Sequence, residues 1–194
     1  MQTQITNGLI HVYGHASAEP ELVAQSFGGV FTQEAHSDSD LAIFAINPSA
    51  GVDQETIARW AELDEFQIPR LVVVTHLEIQ EADFDDAVMI ANRVFSPIAT
   101  PYLVLHDDAG LPIALISLAD LSIVDYSTTP PTSRMSDPEH QTLVQEFRDE
   151  YLELVQASGD QAFAAGLLFP AIPLWIEKGI GVDIVYEYIK ELKL

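Results

Sequence analysis

The chain has 194 residues, enough for one compact domain, and its 8 basic and 30 acidic residues give a formal net charge of −22. We expect this charge to exclude nucleic acids and anionic membrane surfaces as partners, because their phosphate groups would repel the chain. Cysteine is absent, which excludes disulfides and thiolate metal sites, and no apolar run approaches the roughly 20 residues that span a bilayer, so we expect a cytoplasmic protein.

The first predicted strand covers residues 8–13 and continues into an acidic loop. Glu19 and Glu21 place two carboxylates in this loop, and Pro20 between them removes a backbone donor. No lysine or arginine precedes Arg59, so the loop has no cation close to it in sequence.

The central unit runs from residue 41 to residue 78. Residues 41–46 and 71–74 are short apolar runs typical of buried strands, and they flank a helix that we expect to begin after Asp53 and to end near residue 65. This order predicts a right-handed βαβ unit. The polar tetrad 75–78 follows the second strand, where a ligand site would lie in an open α/β sheet, although spacing alone favours a plain polar exit from the strand.

The second half of the chain adds further elements. Residues 82–95 form a predicted helix whose first-turn carboxylates are explained by the helix dipole. Residues 102–105 and 113–116 predict a hairpin around a turn at 106–110, and the composition of residues 128–137 predicts a flexible loop. Neither the first-turn carboxylates nor the turn is interpreted as a metal site.

A long amphipathic helix is predicted from Ser136 to about residue 157. Its expected buried face consists of Leu143, Val144, Phe147, Tyr151, Leu154 and Val155. The last strand is expected within residues 167–175, and a final helix follows from residue 179.

The chain resembles the G domain of elongation factor G and of elongation-factor-G-like translational GTPases. The matching residues occur in order and are Gly51, Val52, Gln54, Thr56, Trp60, Pro69, Arg70, Thr75 and Leu77. Residues 101–127 also resemble the β-hairpin insert of that family. The resemblance implies a single degenerate G domain over residues 1–194, with a P-loop-NTPase-like three-layer α/β fold and a mostly parallel sheet.

The resemblance also shows which nucleotide motifs are altered. The phosphate-loop position holds Gly14, His15, Ser17, Glu19 and Pro20, without the lysine and the magnesium-binding hydroxyl of the family. Two carboxylates in this place would repel a triphosphate strongly. The guanine-reading motif Asn/Thr-Lys-x-Asp is replaced by Thr75, His76, Leu77 and Glu78, and the later Ser-Ala pair that contacts guanine is lost.

Most of the two switch regions is missing, because only residues 28–40 occupy their interval. We interpret His15 and His36 as surface or packing residues. Without the switch strands, the first strand would become a sheet edge unless residues 29–32 replace them, and an uncovered edge invites pairing with a second copy.

These departures from the family pattern predict a catalytically inactive pseudo-GTPase without cofactor or metal. Its function would be that of a protein-interaction or regulatory module with an unknown protein partner or as a homodimer. The alternative is a weak guanine-nucleotide or small-ligand binder that uses Thr75, His76 and Glu78.

Overall fold

The computed structural model describes residues 8–79 and 83–194 and alternates strands with helices. The strands are β1 (Ile10–Tyr13), β2 (Val30–Phe31), β3 (Leu41–Ile46), β4 (Arg70–Val74), β5 (Ile98–Ala99), β6 (Tyr102–His106), β7 (Pro112–Ser117), β8 (Ser122–Asp125), β9 (Thr132–Met135) and β10 (Phe169–Pro173). The helices are α1 (Pro20–Phe27), α2 (Gln54–Asp64), α3 (Phe84–Val94), α4 (Pro138–Ser158) and α5 (Val182–Glu191). No helix among the described residues is long and apolar enough to cross a membrane.

A parallel sheet of six strands forms the centre, in the order β2-β1-β3-β4-β10-β5. Every residue of β3, β4 and β10 is buried, as expected for strands covered on both faces. The predicted βαβ pairing is confirmed, because β3 and β4 are parallel neighbours with Ala42 opposite Arg70 and Ile46 opposite Val74. Asp53 caps α2 as predicted, since its carboxylate accepts from the backbone N–H of Thr56 at 3.1 Å. The α/β fold class is therefore confirmed.

The first residue of β4 carries a buried cation that the apolar pattern did not predict. Arg70 is 1% exposed, and its guanidinium carbon lies 4.4 Å from the ring centroid of Trp60 and 4.3 Å from that of Phe169. The guanidinium donates to the carboxylate of Asp64 at 2.6 Å and to the carbonyl oxygen of Trp60 at 3.1 Å. Burial lowers the pKa of Arg70, and the carboxylate of Asp64 partly opposes this effect. These contacts tie β4 to α2 and β10.

The short interval 28–40 supplies a replacement edge strand. Val30–Phe31 pairs in parallel with β1, so β1 lies between β2 and β3, and the alternative that residues 29–32 supply a replacement strand is confirmed. Near the end of this interval, the imidazole ring of His36 stacks on that of His11 in β1, with the ring centroids 4.2 Å apart. The backbone N–H of His36 donates to the phenol oxygen of Tyr13 at 3.3 Å, which agrees with the interpretation of His36 as a packing residue.

A second sheet of four antiparallel strands, in the order β6-β7-β8-β9, forms the insert. The predicted hairpin is confirmed as β6 and β7. The prediction of a flexible loop over 128–137 is wrong for Thr132–Met135, because these residues pair with β8 and carry the sheet beyond residue 127. All four residues of β9 are exposed, so no apolar alternation marks the strand in the sequence.

Helix α4 is capped by Asp137 rather than by Ser136, since the carboxylate of Asp137 accepts from the backbone N–H of His140 at 2.9 Å. Of its predicted buried face only Val144 is buried, whereas Leu143 is 70% and Phe147 is 49% exposed. The periodicity identified an amphipathic helix correctly, but it does not tell how much of the apolar stripe a neighbouring element covers. Helix α3 begins after Asp83, whose carboxylate caps it, and the predicted first helical residue, Ala82, lies outside the described residues.

Candidate functional site

The loop after β1 makes two sharp changes of direction before α1. Gly14 has φ +151°, and a Cβ there would come 2.6 Å from the carbonyl oxygen of Ala45, so the position requires glycine. The imidazole of His15 accepts from the backbone N–H of Ser17 at 3.2 Å and caps the short 3₁₀ turn Ala16–Ala18. The chain therefore arrives at Glu19 through a compact turn.

Glu19 adopts a left-handed conformation with φ 53°, and α1 starts directly after it. Pro20 is the first residue of α1, where its fixed φ suits the helix and its missing N–H would have no helical partner. The start of α1 consequently lacks one of the backbone donors that an anion at a helix N-terminus would use.

The polar tetrad after β4 is fastened to this loop. Thr75 is buried, and its hydroxyl donates to the carbonyl oxygens of Ala18 at 3.1 Å and Ile46 at 3.3 Å. His76 follows in a left-handed conformation with φ 56°. These contacts place the imidazole of His76 beside Glu19, the residue that directly precedes α1.

His76 bridges the two segments that the sequence presented as separate motifs. Its Nδ1 lies 3.1 Å from a carboxylate oxygen of Glu78, and its Nε2 lies 3.7 Å from a carboxylate oxygen of Glu19. The Nε2 atom is buried and has no hydrogen bond among the described residues, so the carboxylate of Glu19 is its nearest ionic neighbour. Thus Glu19, His76 and Glu78 come together, whereas His15 and Ser17 bond to each other within the loop.

Little space remains next to this bridge. The cavity bounded by Glu19, His76, Glu78 and residues 174–177 has a volume of about 40 Å³. One water molecule takes about 30 Å³ in the liquid. The space beside these side chains is therefore of the order of one water molecule.

A much larger cavity, of about 710 Å³, opens on the other side of the loop. We call it the loop cavity; it lies between the end of β1, the first turn of α1, the start of α2 and residues 31–33. Its charged wall residues are Glu19, Glu21, Asp53, Glu55 and Arg59. Arg59 is distant from the loop in sequence, but its side chain lines the loop cavity. The loop therefore has a basic side chain close to it in space, although it has none close to it in sequence.

Burial shifts the pKa values of two titratable side chains of β1. Burial and the neighbouring imidazole of His36 lower the pKa of His11, and Asp38 partly opposes this effect. Burial raises the pKa of Tyr13, whose ring lines the loop cavity. Both groups are therefore neutral near pH 7.

The described residues contain no group of three or more His, Asp or Glu side chains placed to hold a metal ion. At the turn that precedes β7, the carboxylate of Asp107 accepts from the backbone N–H groups of Ala109 and Leu111, both at 2.9 Å. The interpretation of residues 106–110 as a turn is confirmed. In α3 the carboxylate of Asp83 accepts from the N–H groups of Asp85 and Asp86 as a helix cap.

Comparison with known proteins identifies proteins that are similar to this chain. The elongation factor G-like protein of Mycobacterium tuberculosis H37Rv is 30% identical over 164 residues, which cover 74% of this chain and 23% of that protein. A crystal structure from Thermus thermophilus superposes with a TM-score of 0.69 and 25% identity over 80% of this chain and 27% of the other. The chain has an elongation-factor-G-like G domain. No protein-family model matches it.

The mitochondrial ribosome-releasing factor 2 of Anopheles gambiae is a further relative, 26% identical over 161 residues that cover 78% of this chain and 20% of that factor. The chain thus spans less than a quarter of the length of these curated relatives. These relatives support the interpretation of the chain as a translation-factor-related G domain.

Proposed function

We propose that this G domain is a catalytically inactive pseudo-GTPase that acts as a protein-interaction or regulatory module. The observation that carries the proposal is the bridge from Glu19 through His76 to Glu78, which joins the phosphate-loop position to the base-reading position. The bridge leaves about 40 Å³ where a base would lie. A nucleotide would have to break it and open the site.

Electrostatics at the phosphate-loop position support the same proposal. Two like unit charges about 4 Å apart, at an effective dielectric constant of about 20, repel by about 4 kcal/mol. A penalty of this size corresponds to a loss of roughly 1,000-fold in affinity. Glu19 and Glu21 both face the loop cavity, and Arg59 is already paired with Glu62 at 2.8 Å. A triphosphate would therefore meet repulsion that Arg59, the one arginine or lysine among the described wall residues, offsets only in part.

Exposed apolar side chains support an interaction role. Met89 on α3 and Phe147 on α4 are 48% and 49% exposed, and both line a groove of about 640 Å³ between the two helices. Exposed apolar surface of this kind is typical of protein contact sites. Because the chain has a net charge of −22, the proposal favours a basic protein as the partner and keeps the expected exclusion of nucleic acid and membrane surfaces.

One expectation about partners has lost its support. Homodimer formation through pairing of β1 with a second copy is no longer favoured, because β2 covers that edge. A cytoplasmic location remains part of the proposal.

A thermal-shift titration with GDP, GTP and guanosine, with and without Mg²⁺, tests the proposal. Ligand at about 1 mM would stabilise a domain with a ~10 μM site by about 2.7 kcal/mol. For a domain of this size that means a rise in Tm of about 5–11 °C. We expect no rise with any of the three ligands. A rise with GDP that Glu78→Ala removes would favour the alternative, a weak guanine-nucleotide binder.

A further inference from the structure

The loop cavity has a strongly negative wall. Four carboxylates, from Glu19, Glu21, Asp53 and Glu55, line it together with one guanidinium, from Arg59, which gives a net wall charge of about −3. The N-terminal ends of α1 and α2 add about half a positive charge each and reduce the negative charge to about −2. The wall therefore favours a cation.

Part of this charge has a structural explanation. Asp53 caps α2, and first-turn carboxylates such as Glu21 and Glu55 are favoured by the helix dipole. This accounts for the presence of the acids but not for their convergence on one cavity. Moreover, neither Glu21 nor Glu55 has an ion-pair partner among the described residues.

An unpaired hydroxyl in the wall points independently to a ligand. Thr56 is 5% exposed and lines the loop cavity. Its backbone N–H donates to Asp53, but its hydroxyl makes no hydrogen bond within the described part of the chain. The hydroxyl oxygen is not fully enclosed, which agrees with the position of Thr56 in the cavity wall. Buried polar groups are normally hydrogen-bonded, and a hydroxyl oxygen accepts readily from an ammonium group.

The remaining wall suits the carbon chain of such a ligand. Tyr13, Pro20, Leu22 and Phe31 supply apolar surface between the carboxylates. A volume of about 710 Å³ lies within the range of about 300–1,000 Å³ typical of small-molecule sites. A chain of methylene groups that carries ammonium groups matches both kinds of surface.

We propose that the loop cavity binds an organic cation, with its ammonium or guanidinium groups at Glu19, Glu21 and Glu55 and near the hydroxyl of Thr56. The cation comes either from a free linear polyamine or from a lysine or arginine side chain of a protein partner. This inference rests on the proposed function, because it requires that no nucleotide occupies the loop cavity.

Calorimetric titration with two probes, spermidine and a short lysine-rich peptide, tests this inference at pH 7.5. The variant Glu21→Gln/Glu55→Gln removes two wall carboxylates, and Glu146→Gln/Glu153→Gln on α4 removes the same charge away from the cavity. We expect the first variant to weaken binding about tenfold, as for two partly screened charge contacts, and the second to leave it within about twofold. Thr56→Val should also weaken binding while the melting curve remains cooperative.

The outcomes separate the two sources and the two proposals. Binding of spermidine identifies a free polyamine site, and binding of the peptide alone identifies a partner side chain. Absence of binding by both probes, or equal weakening by the two double variants, overturns the inference, because the latter result means general attraction to an acidic surface. A parallel titration with GDP is interpreted separately: stabilisation by GDP overturns the pseudo-GTPase proposal, whatever the cationic probes do.

Discussion

Arg70→Ala is predicted to lower the free energy of unfolding by about 3–5 kcal/mol, the range for truncating a large side chain in a core. The guanidinium lies against the rings of Trp60 and Phe169, at 4.4 and 4.3 Å, and each desolvated contact of this kind contributes about 2 kcal/mol. The charged hydrogen bond to Asp64 adds only about 1 kcal/mol, because the carboxylate of Asp64 is 60% exposed and water screens it. The desolvation cost of the buried cation, which also lowers the pKa of Arg70, offsets part of this gain. For a domain of this size the Tm falls by about 6–20 °C.

Urea denaturation followed by circular dichroism measures this change. Arg59→Ala is the matched control, because Arg59 is partly exposed and makes an (i, i+3) ion pair with Glu62 that is worth about 0.2–0.5 kcal/mol. A loss for Arg70→Ala below about 1 kcal/mol, or no larger than that of Arg59→Ala, would refute the reasoning that burial against two rings gives the cation its importance.

Two further predictions concern the site and its surroundings. Thr75→Val should cost about 1–3 kcal/mol in urea denaturation, because the carbonyl oxygen of Ala18 loses the hydroxyl donor, whereas that of Ile46 keeps the backbone N–H of Thr75 at 2.9 Å. A cost near zero would show that the hydroxyl does not fasten the loop. His11 has a pKa below its usual value, so the unfolded chain binds the proton more tightly and the stability that neutral His11 provides is complete above about pH 6.5 and is lost as the pH falls below it. His11→Gln should therefore reduce the loss of stability between pH 7.5 and pH 5.5, and identical pH profiles for the wild type and His11→Gln would contradict this account.

The βαβ unit at the centre could be predicted because its signals are local. The apolar runs of β3 and β4 need burial on both faces, and Asp53 supplies the cap that starts α2. The hairpin of β6 and β7 was marked in the same way by its turn residues. Each of these signals lies within a few residues of the element that it specifies.

Elements that depend on distant neighbours were not predicted correctly. Strand β9 is formed entirely by exposed residues and exists because β8 offers a free edge. Of the apolar stripe of α4 only Val144 is buried, and Leu143 and Phe147 are exposed, because the insert sheet covers only part of the helix. Neither the presence of an edge nor the extent of a neighbour's surface is encoded in a local pattern.

The candidate site shows the same limit. The sequence singled out Glu19 and His76, but their contact arises because β1 and β4 lie on either side of β3, and strand order is not readable from spacing. Arg59 enters the wall of the loop cavity for a similar reason, since α2 begins at the same edge of the sheet where α1 begins. The rule that ligands bind beyond the carboxyl ends of parallel strands would have brought these segments together once the strand order was known.

The central claim is that this G domain does not bind guanine nucleotides, and a direct binding measurement with GDP and GTP in the presence of Mg²⁺ tests it most simply. Equilibrium dialysis with labelled nucleotide at about 1 mM detects sites too weak to stabilise the fold measurably. A GTPase with an intact phosphate-loop lysine serves as the positive control. The account predicts equal nucleotide concentrations on both sides of the membrane for this protein. Retention of about one GDP per chain at saturation, lost on Glu78→Ala, would contradict it.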